Sequence, residues 1–221
     1  MKNVIVLFLS LLTLQSCASE INSSKNDKIN LPQTDYKNQF DENRKTNVEV
    51  AYFASGCFWC VEAIYESVRG VVEVESGYSG GIVKNPTYKQ ICTGTLKHAE
   101  SVKVIYDPEK VSFSTLVDVF FNSHDPSTLN RQGPDSGPQY RSIAFYNTDE
   151  EKSIINDKIK ALKEAKVFSK ITTEVKSFEV FYKAEQYHQD YEKKHPNQGY
   201  IQAVSIPRLN EFKRKMPEVL K

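Results

Sequence analysis

Apolar and polar positions along the chain fall into two different periods. Val48, Val50, Tyr52 and Ala54 form an alternating run, after which Phe58, Val61, Tyr65 and Val68 recur at helical spacing. The change predicts a strand feeding a helix, with Cys57 in the first helical turn, and Arg69-Gly70 supplies a cationic last turn and a glycine stop. Val71–Glu75 reads as a strand. Gly77-Tyr78-Ser79-Gly80-Gly81 and Asn85-Pro86-Thr87-Tyr88 read as a glycine-rich loop that lets backbone approach something closely. Glu100–Tyr106 alternates as a half-buried strand that stops at Asp107-Pro108, and Ser112–Asn122 reads as a helix with Leu116, Val119 and Phe120 on one face. His124–Gln139 is a polar loop containing Pro126, Pro134 and Pro138, of a length more often functional than accidental. Arg141–Tyr146 is another strand, Thr148 and Glu151 have capping-box spacing and open a helix to about Lys166, and Thr172–Lys176 is a last strand. From Phe181 through Tyr200 to Pro207 the tail is rich in Tyr, His and Gln without clear periodicity, and Arg208–Leu220 reads as a short closing helix. This order predicts an α+β fold, a two-layer ferredoxin-like plait. Its mixed sheet would carry helices on one side, long irregular loops and a C-terminal tail.

The N-terminus stands apart. Lys2 precedes an apolar run from Val4 to Leu14 that is too short for a permanent membrane span, so residues 1–16 read as an export signal. Leu14-Gln15-Ser16-Cys17 resembles a bacterial lipobox, which would make Cys17 the lipidated first residue of the mature chain; plain cleaved secretion is the alternative. Residues 17–46 hold few large apolar side chains and cannot bury enough surface to offset ordering entropy, so they read as a flexible tether. The folded part is expected over 47–221. The location implied is extracytoplasmic, membrane-anchored through Cys17, on the periplasmic or cell-surface side.

Composition changes this picture little. The 221 residues suffice for one good-sized core, and a net charge of +1 with interspersed lysines and carboxylates gives no nucleic-acid surface and no polybasic membrane arm. There is no internal repeat.

The candidate chemistry starts at Cys57. Helix N-termini present free N–H groups and a positive dipole end, which favour a thiolate and predict a lowered thiol pKa there. Cys57 and Cys60 stand at i and i+3, within the Cα separation of ~4.4–6.8 Å that a disulfide needs, so a redox pair is possible. Small core residues are the plainer reading of one or both, and a zinc site lacks a second Cys-x-x-Cys or His pair to complete four ligands. Phe58 and Trp59 could be core, or could wall a pocket for a small apolar group with partial positive charge, such as a methyl on an oxidised sulfur.

Gly56-Cys57-Phe58-Trp59 with Glu62-Ala63, Gly77-Tyr78-Ser79-Gly80-Gly81, Asn85-Pro86-Thr87-Tyr88 and His98-Ala99-Glu100 together resemble the A-type peptide methionine sulfoxide reductases. So do His124-Asp125-Pro126, the run Asn130-Arg131-Gln132-Gly133 to Ser142, and Gln186-Tyr187-His188-Gln189-Asp190-Tyr191. The similarity runs in the family's order from about Val48 to the C-terminus. It implies that 47–221 is a catalytic domain reducing methionine S-sulfoxide in proteins, peptides or free. Cys57 would attack the sulfoxide sulfur, and Glu100 would protonate the departing oxygen. For a glutamate to hold that proton at neutral pH its pKa must rise by ~2–3 units, about 3–4 kcal/mol, which burial can supply. Tyr88 and Tyr140 would hydrogen-bond the oxygen, Asp135 would orient water or polar groups, and Phe58 and Trp59 would hold the methyl. Burial of that methyl is worth roughly 0.8 kcal/mol, enough to select a pose.

Attack leaves a sulfenic acid that a second thiol must resolve. Many relatives use C-terminal cysteines, but here Gly199-Tyr200 is followed by Ile201 and no cysteine follows Cys92. Cys60, in a Gly-Cys-Phe-Trp-Cys variant, is then the resolving thiol. No bound cofactor or metal is expected; a thioredoxin-like protein would be the reductant, and the protein would be a monomer. Cys92 reads as a packed thiol, His98 as tuning the acid or packing, and His188 as structural. Lys97 stands where relatives often have glycine. The competing functions are a general thiol–disulfide oxidoreductase built on Cys57 and Cys60, which gives Glu100, Tyr88 and Tyr140 no role, and a non-catalytic tethered binding module.

Overall fold

The computed structural model describes residues 39–41 and 46–221, with side chains from Asn47 onward. The expected export signal, Cys17 and most of the 17–46 tether lie outside the described residues. In chain order the elements are β1 (Gln39–Asp41), β2 (Thr46–Ser55), α1 (Phe58–Glu66), β3 (Val71–Ser79), α2 (Tyr88–Ile91), β4 (Ala99–Tyr106) and α3 (Phe113–Asn122). There follow β5 (Arg131–Gln132), β6 (Asp135–Ser136), β7 (Ser142–Tyr146), α4 (Asp149–Glu164), β8 (Glu174–Ser177), β9 (Phe181–Lys183), α5 (Tyr191–Lys194) and α6 (Ile206–Lys215).

The units β2-α1-β3 and β4-α3-β7 interleave so that the four central strands lie in the order β7-β2-β4-β3, every neighbouring pair antiparallel. That is the α+β plait. β8 extends it in parallel beyond β7 and β9 in antiparallel beyond β3, which makes the sheet mixed. β1, inside the segment read as a tether, pairs with the first residues of β2.

Helices cover one face. Phe53 of β2 packs its ring 5.2 Å from Tyr65 of α1 and 5.4 Å from Phe120 of α3, inside a core that also takes Ile64 and Leu116. Each such fully buried side chain contributes roughly 1.5–3 kcal/mol of transfer free energy. Alternation sends Tyr52 and Ala54 to the opposite face with Ile143 and Phe145, and none of the described helices covers them. Phe178 from the β8–β9 connection and Phe181 of β9 do so instead, Phe178 stacking on Tyr52 at 3.7 Å.

Caps follow the sequence signals: Ser112 Oγ accepts from Thr115 N at 3.1 Å and Thr148 Oγ1 accepts from Glu151 N at 3.2 Å. One expectation is corrected. Gly77-Tyr78-Ser79 is not loop but the end of β3, and its glycine serves a close approach, since a Cβ on Gly77 would stand 2.3 Å from the Phe181 ring and 2.4 Å from Tyr182 O. The tail is ordered without apolar periodicity because polar side chains fix it. Gln189 accepts from Ser76 N at 2.9 Å and donates to Ser76 O and Ala184 O, both at 3.0 Å. Among the described residues no helix is long and apolar enough to cross a membrane.

Candidate active site

β2 ends at Ser55, and the chain turns into α1 through Gly56 in the left-handed region, φ +95°. A Cβ there would also meet Gln132 at 2.6 Å, so glycine is required twice over. Cys57 is the N-cap of α1, one residue before its first turn, and Cys60 lies one turn on; both are free thiols, 6% and 1% exposed. The helix N-terminus points at β4. There Phe58 N donates to Oε2 of Glu100 at 3.0 Å, and Glu100 itself is 1% exposed.

That hydrogen bond changes the expected electrostatics. Burial, together with the neighbouring Cys60 and Glu100 charges, pushes the Cys57 thiol up rather than down. The N–H that would have stabilised a Cys57 thiolate is spent on Glu100. Cys60 instead is held down to about 6, chiefly by a hydrogen bond from Cys57 and, against its own burial, by the Arg208 guanidinium, Ser205 and Tyr200. Within the pair the thiolate is favoured on Cys60 and disfavoured on Cys57. Glu100 is pushed up to about 8 by burial, with Asp135 and Cys60 adding in the same direction and Phe58 N–H opposing. At neutral pH it is a carboxylic acid.

Three further elements close around this centre. Tyr88 opens α2, its N–H donating to Glu185 Oε1 at 2.9 Å, and Tyr140 ends the short 3-10 turn Pro138–Tyr140. Both phenols are half-buried and pushed up by burial first and by the Glu100 charge next, so they remain donors. Asp135, in the β5–β6 hairpin, accepts from Tyr200 OH at 2.6 Å; burial raises its pKa. Phe58, 1% exposed, lies among Tyr78, Tyr88 and His188 with ring centroids 4.9–6.3 Å away. Trp59 is half-buried, stacked flat on Tyr191 at 3.7 Å, and its Nε1 donates to His188 Nδ1 at 3.1 Å.

The structure thus brings Cys57, Cys60, Glu100, Tyr88, Tyr140, Asp135, Phe58 and Trp59 together. Cys92, expected to be packed, is exposed at the end of α2, in contact with the Tyr88 hydroxyl, because this helix has only four residues and buries Ile91 alone. His98 packs by its Nε2 on Val83 O at 2.8 Å. Lys97, which stands where the resemblance implies glycine, holds a left-handed conformation, φ +57°, that glycine adopts without steric cost. Among the described residues no group of three or more His, Cys, Asp or Glu could hold a metal ion.

Sequence reasoning did not single out Tyr200, Ser205, Arg208 or the role of Glu62. Tyr200 OH lies 3.8 Å from Cys60 Sγ, and Arg208 donates to Ser55 O at 2.9 Å and Ser123 O at 2.8 Å. Glu62 is a second buried acid, pushed up to about 8 by burial and accepting from Asp190 N at 3.1 Å. Its capping of a tail backbone N–H carries no local sequence signal.

A dithiol that can close to a disulfide offers two electrons, and a buried neutral acid beside it offers a proton to an oxygen leaving in the same pocket. The class so defined is a thiol-dependent oxidoreductase. Residues 49–220 match the family described as peptide methionine sulfoxide reductase. The chain is 45% identical over 174 residues, 79% of its length and 98% of the relative's, to peptide methionine sulfoxide reductase MsrA of Saccharolobus solfataricus. Among solved structures it is similar to methionine sulfoxide reductase A of Corynebacterium diphtheriae, with TM-score 0.62, 36% identity and 68% and 76% of the two chains covered. It is also similar to reduced Mxr1 of Saccharomyces cerevisiae, with TM-score 0.65, 32% identity and 73% and 91% covered. The chain belongs to the peptide methionine sulfoxide reductase family, and is an oxidoreductase acting on methionine sulfoxide.

Proposed function

We propose that the chain reduces methionine S-sulfoxide, in proteins, in peptides and free, with Cys57 as nucleophile and Glu100 as acid. The observation that carries this reading is Glu100: 1% exposed, on the N-terminal N–H of the helix that starts after Cys57, and pushed up to about 8. A carboxyl group so placed is protonated at neutral pH and faces the position a departing oxygen would occupy.

The Cys57 proton passes across the thiol pair to Cys60, and the Cys57 thiolate attacks the sulfoxide sulfur. Glu100 protonates the oxygen, with Tyr88 and Tyr140 donating hydrogen bonds to it and Asp135 orienting polar groups through Tyr200. The oxygen moves to Cys57, methionine leaves, and the proton on Cys60 returns to Glu100, so thiol plus sulfoxide becomes sulfenic acid plus thioether with no net change in protons. Phe58 and Trp59 receive the methyl group. Cys60 then displaces hydroxide from Cys57, leaving a Cys57–Cys60 disulfide for a thioredoxin-like donor to reduce.

For the chain as a whole we propose export under the 1–16 signal, lipidation at Cys17 and a tether from there to β1, giving a monomeric extracytoplasmic repair enzyme held at a membrane. A mass measurement of the mature N-terminus tests the anchor, an acylated Cys17 being expected. The reaction is tested with separated dabsyl-methionine sulfoxide epimers and dithiothreitol. Reduction of the S epimer alone is expected; failure to reduce either epimer, or reduction of the R epimer alone, contradicts the proposal.

A further inference from the structure

Over Cys60 lies a segment whose Ser205 and Arg208 have no part in attack on the sulfoxide. Residues Ile201–Ser205 wind as a π-helical turn that runs straight into α6. Such turns are rare and concentrate at functional positions. Here the stretch from Tyr200 to Arg208 brings polar side chains to the thiol pair, Tyr200 meeting both Cys57 and Cys60, Ser205 reaching Cys60, and Arg208 adding its charge. Tyr200 OH, held by Asp135 at 2.6 Å, stands 3.8 Å from Cys60 Sγ, and the Ser205 hydroxyl is within hydrogen-bonding reach of both Cys60 and Glu192. Arg208 is pinned by Ser55 O and Ser123 O, with its Nη1 3.4 Å from where a Cβ of Gly56 would stand, so its charge lies under the thiol loop.

We propose that this C-terminal segment equips the resolving thiol, with Tyr200, Ser205 and Arg208 as positioning residues that present Cys60 to the Cys57 sulfur as its attacking partner. The proposal deepens the reductase reading and rests on it. In the step, the Cys60 thiolate attacks the sulfur of the Cys57 sulfenic acid, the S–S bond forms and the S–O bond breaks. Hydroxide leaves and becomes water with the proton of Glu100. The two electrons that reduced the sulfoxide thus come from the dithiol. A thiol 1% exposed and without such partners would be driven up by burial. The titratable and charged groups acting on Cys60 are Cys57 on its own helix, Glu100 on β4, Arg208 on α6 and Tyr200 with Asp135 behind it.

A held-down thiol is ionised at lower pH but is a weaker nucleophile, with a Brønsted coefficient of ~0.4–0.5. This trade gives a signature that a merely structural role does not. Reduced wild-type, Arg208→Gln, Arg208→Lys and Tyr200→Phe chains are mixed with methionine sulfoxide, and methionine release and disulfide formation are followed separately against pH. For each unit by which the midpoint of the disulfide phase rises, Arg208→Gln and Tyr200→Phe are expected to be about threefold slower on the acid limb and about threefold faster on the alkaline plateau. Arg208→Lys is expected to restore the wild-type profile. Uniform slowing at every pH, or an unchanged profile, in both Arg208→Gln and Tyr200→Phe overturns the proposal. Should the wild-type chain release no methionine, the reductase reading fails on its own. The tuning of Cys60 is then read from thiolate ultraviolet absorbance in Cys57→Ser with and without Arg208→Gln. A higher midpoint in the double variant supports the proposal and equal midpoints overturn it.

Discussion

Glu100 combines two properties that oppose each other in water: it accepts a hydrogen bond from Phe58 N, which favours its charge, and it is buried, which disfavours it more. Glu100→Gln keeps the shape and the contact with Phe58 N but cannot deliver a proton. Methionine release in a single turnover is expected to fall by about 10²–10⁴-fold, and the loss of rate expected of the wild type above about pH 8 should vanish in the variant. Stopped single-turnover assays across pH check both; a variant with wild-type burst rates would remove Glu100 from the reaction. Cys57, Phe58, Trp59 and Cys60 were legible in sequence because they are contiguous at the strand-to-helix change. Their charge distribution was not legible. The helix-end rule assumes a free N–H, and whether one is free depends on Glu100, 42 residues away. Tyr200 reaches Cys60 across 140 residues by a single hydroxyl, for which the sequence offers no periodic signal.

Among the elements, the strands and long helices were readable because each buries one face, and the alternation of Tyr52 and Ala54 against Phe53 sorts the two sides of the sheet. The short pieces β5, β6, β9, α2 and α5 were not, since two to four residues cannot establish a period. The loop between α2 and β4 holds a testable strain. Lys97 keeps φ +57° while its carbonyl accepts from Arg141 Nη2 at 3.0 Å. A non-glycine residue in this region costs of order 1 kcal/mol or more, partly offset by the extra unfolded-state freedom of glycine. Lys97→Gly is therefore expected to raise unfolding free energy by about 0.5–1 kcal/mol without loss of activity, read by urea titration. A destabilised variant would mean that the lysine side chain, not the backbone, matters there.

For the whole molecule, the buried acids set a direction of pH dependence. Glu62 has a folded pKa of about 8 against an ordinary 4.5, so the folded chain holds one proton more than the unfolded chain between these values. Stability from this group is therefore full below about pH 4.5 and is lost as pH rises toward 8. Glu62→Gln should remove this slope, at most about 1.4 kcal/mol per pH unit, so that the variant gains on the wild type from acid to neutral pH. Unfolding titrations at several pH values measure the difference, and a constant offset would place the Glu62 proton elsewhere. Glu62 joins α1 to the tail through Asp190 N, and that joint keeps Trp59 beside Tyr191 and Cys60 beneath Tyr200. The plait was visible in the order of strands and helices, whereas the folding of the tail onto α1 was not, because hydrogen bonds to Gln189 and Glu62 build it.

The most direct measurement is a stoichiometric one on the wild-type chain. Fully reduced protein, freed of reductant, is mixed with excess methionine S-sulfoxide, quenched, and analysed for methionine and by peptide mass mapping. One methionine per chain together with a Cys57–Cys60 disulfide is the expected result; no methionine, or a disulfide or sulfenic acid that excludes Cys57, would contradict the assignment of Cys57 as the attacking thiol.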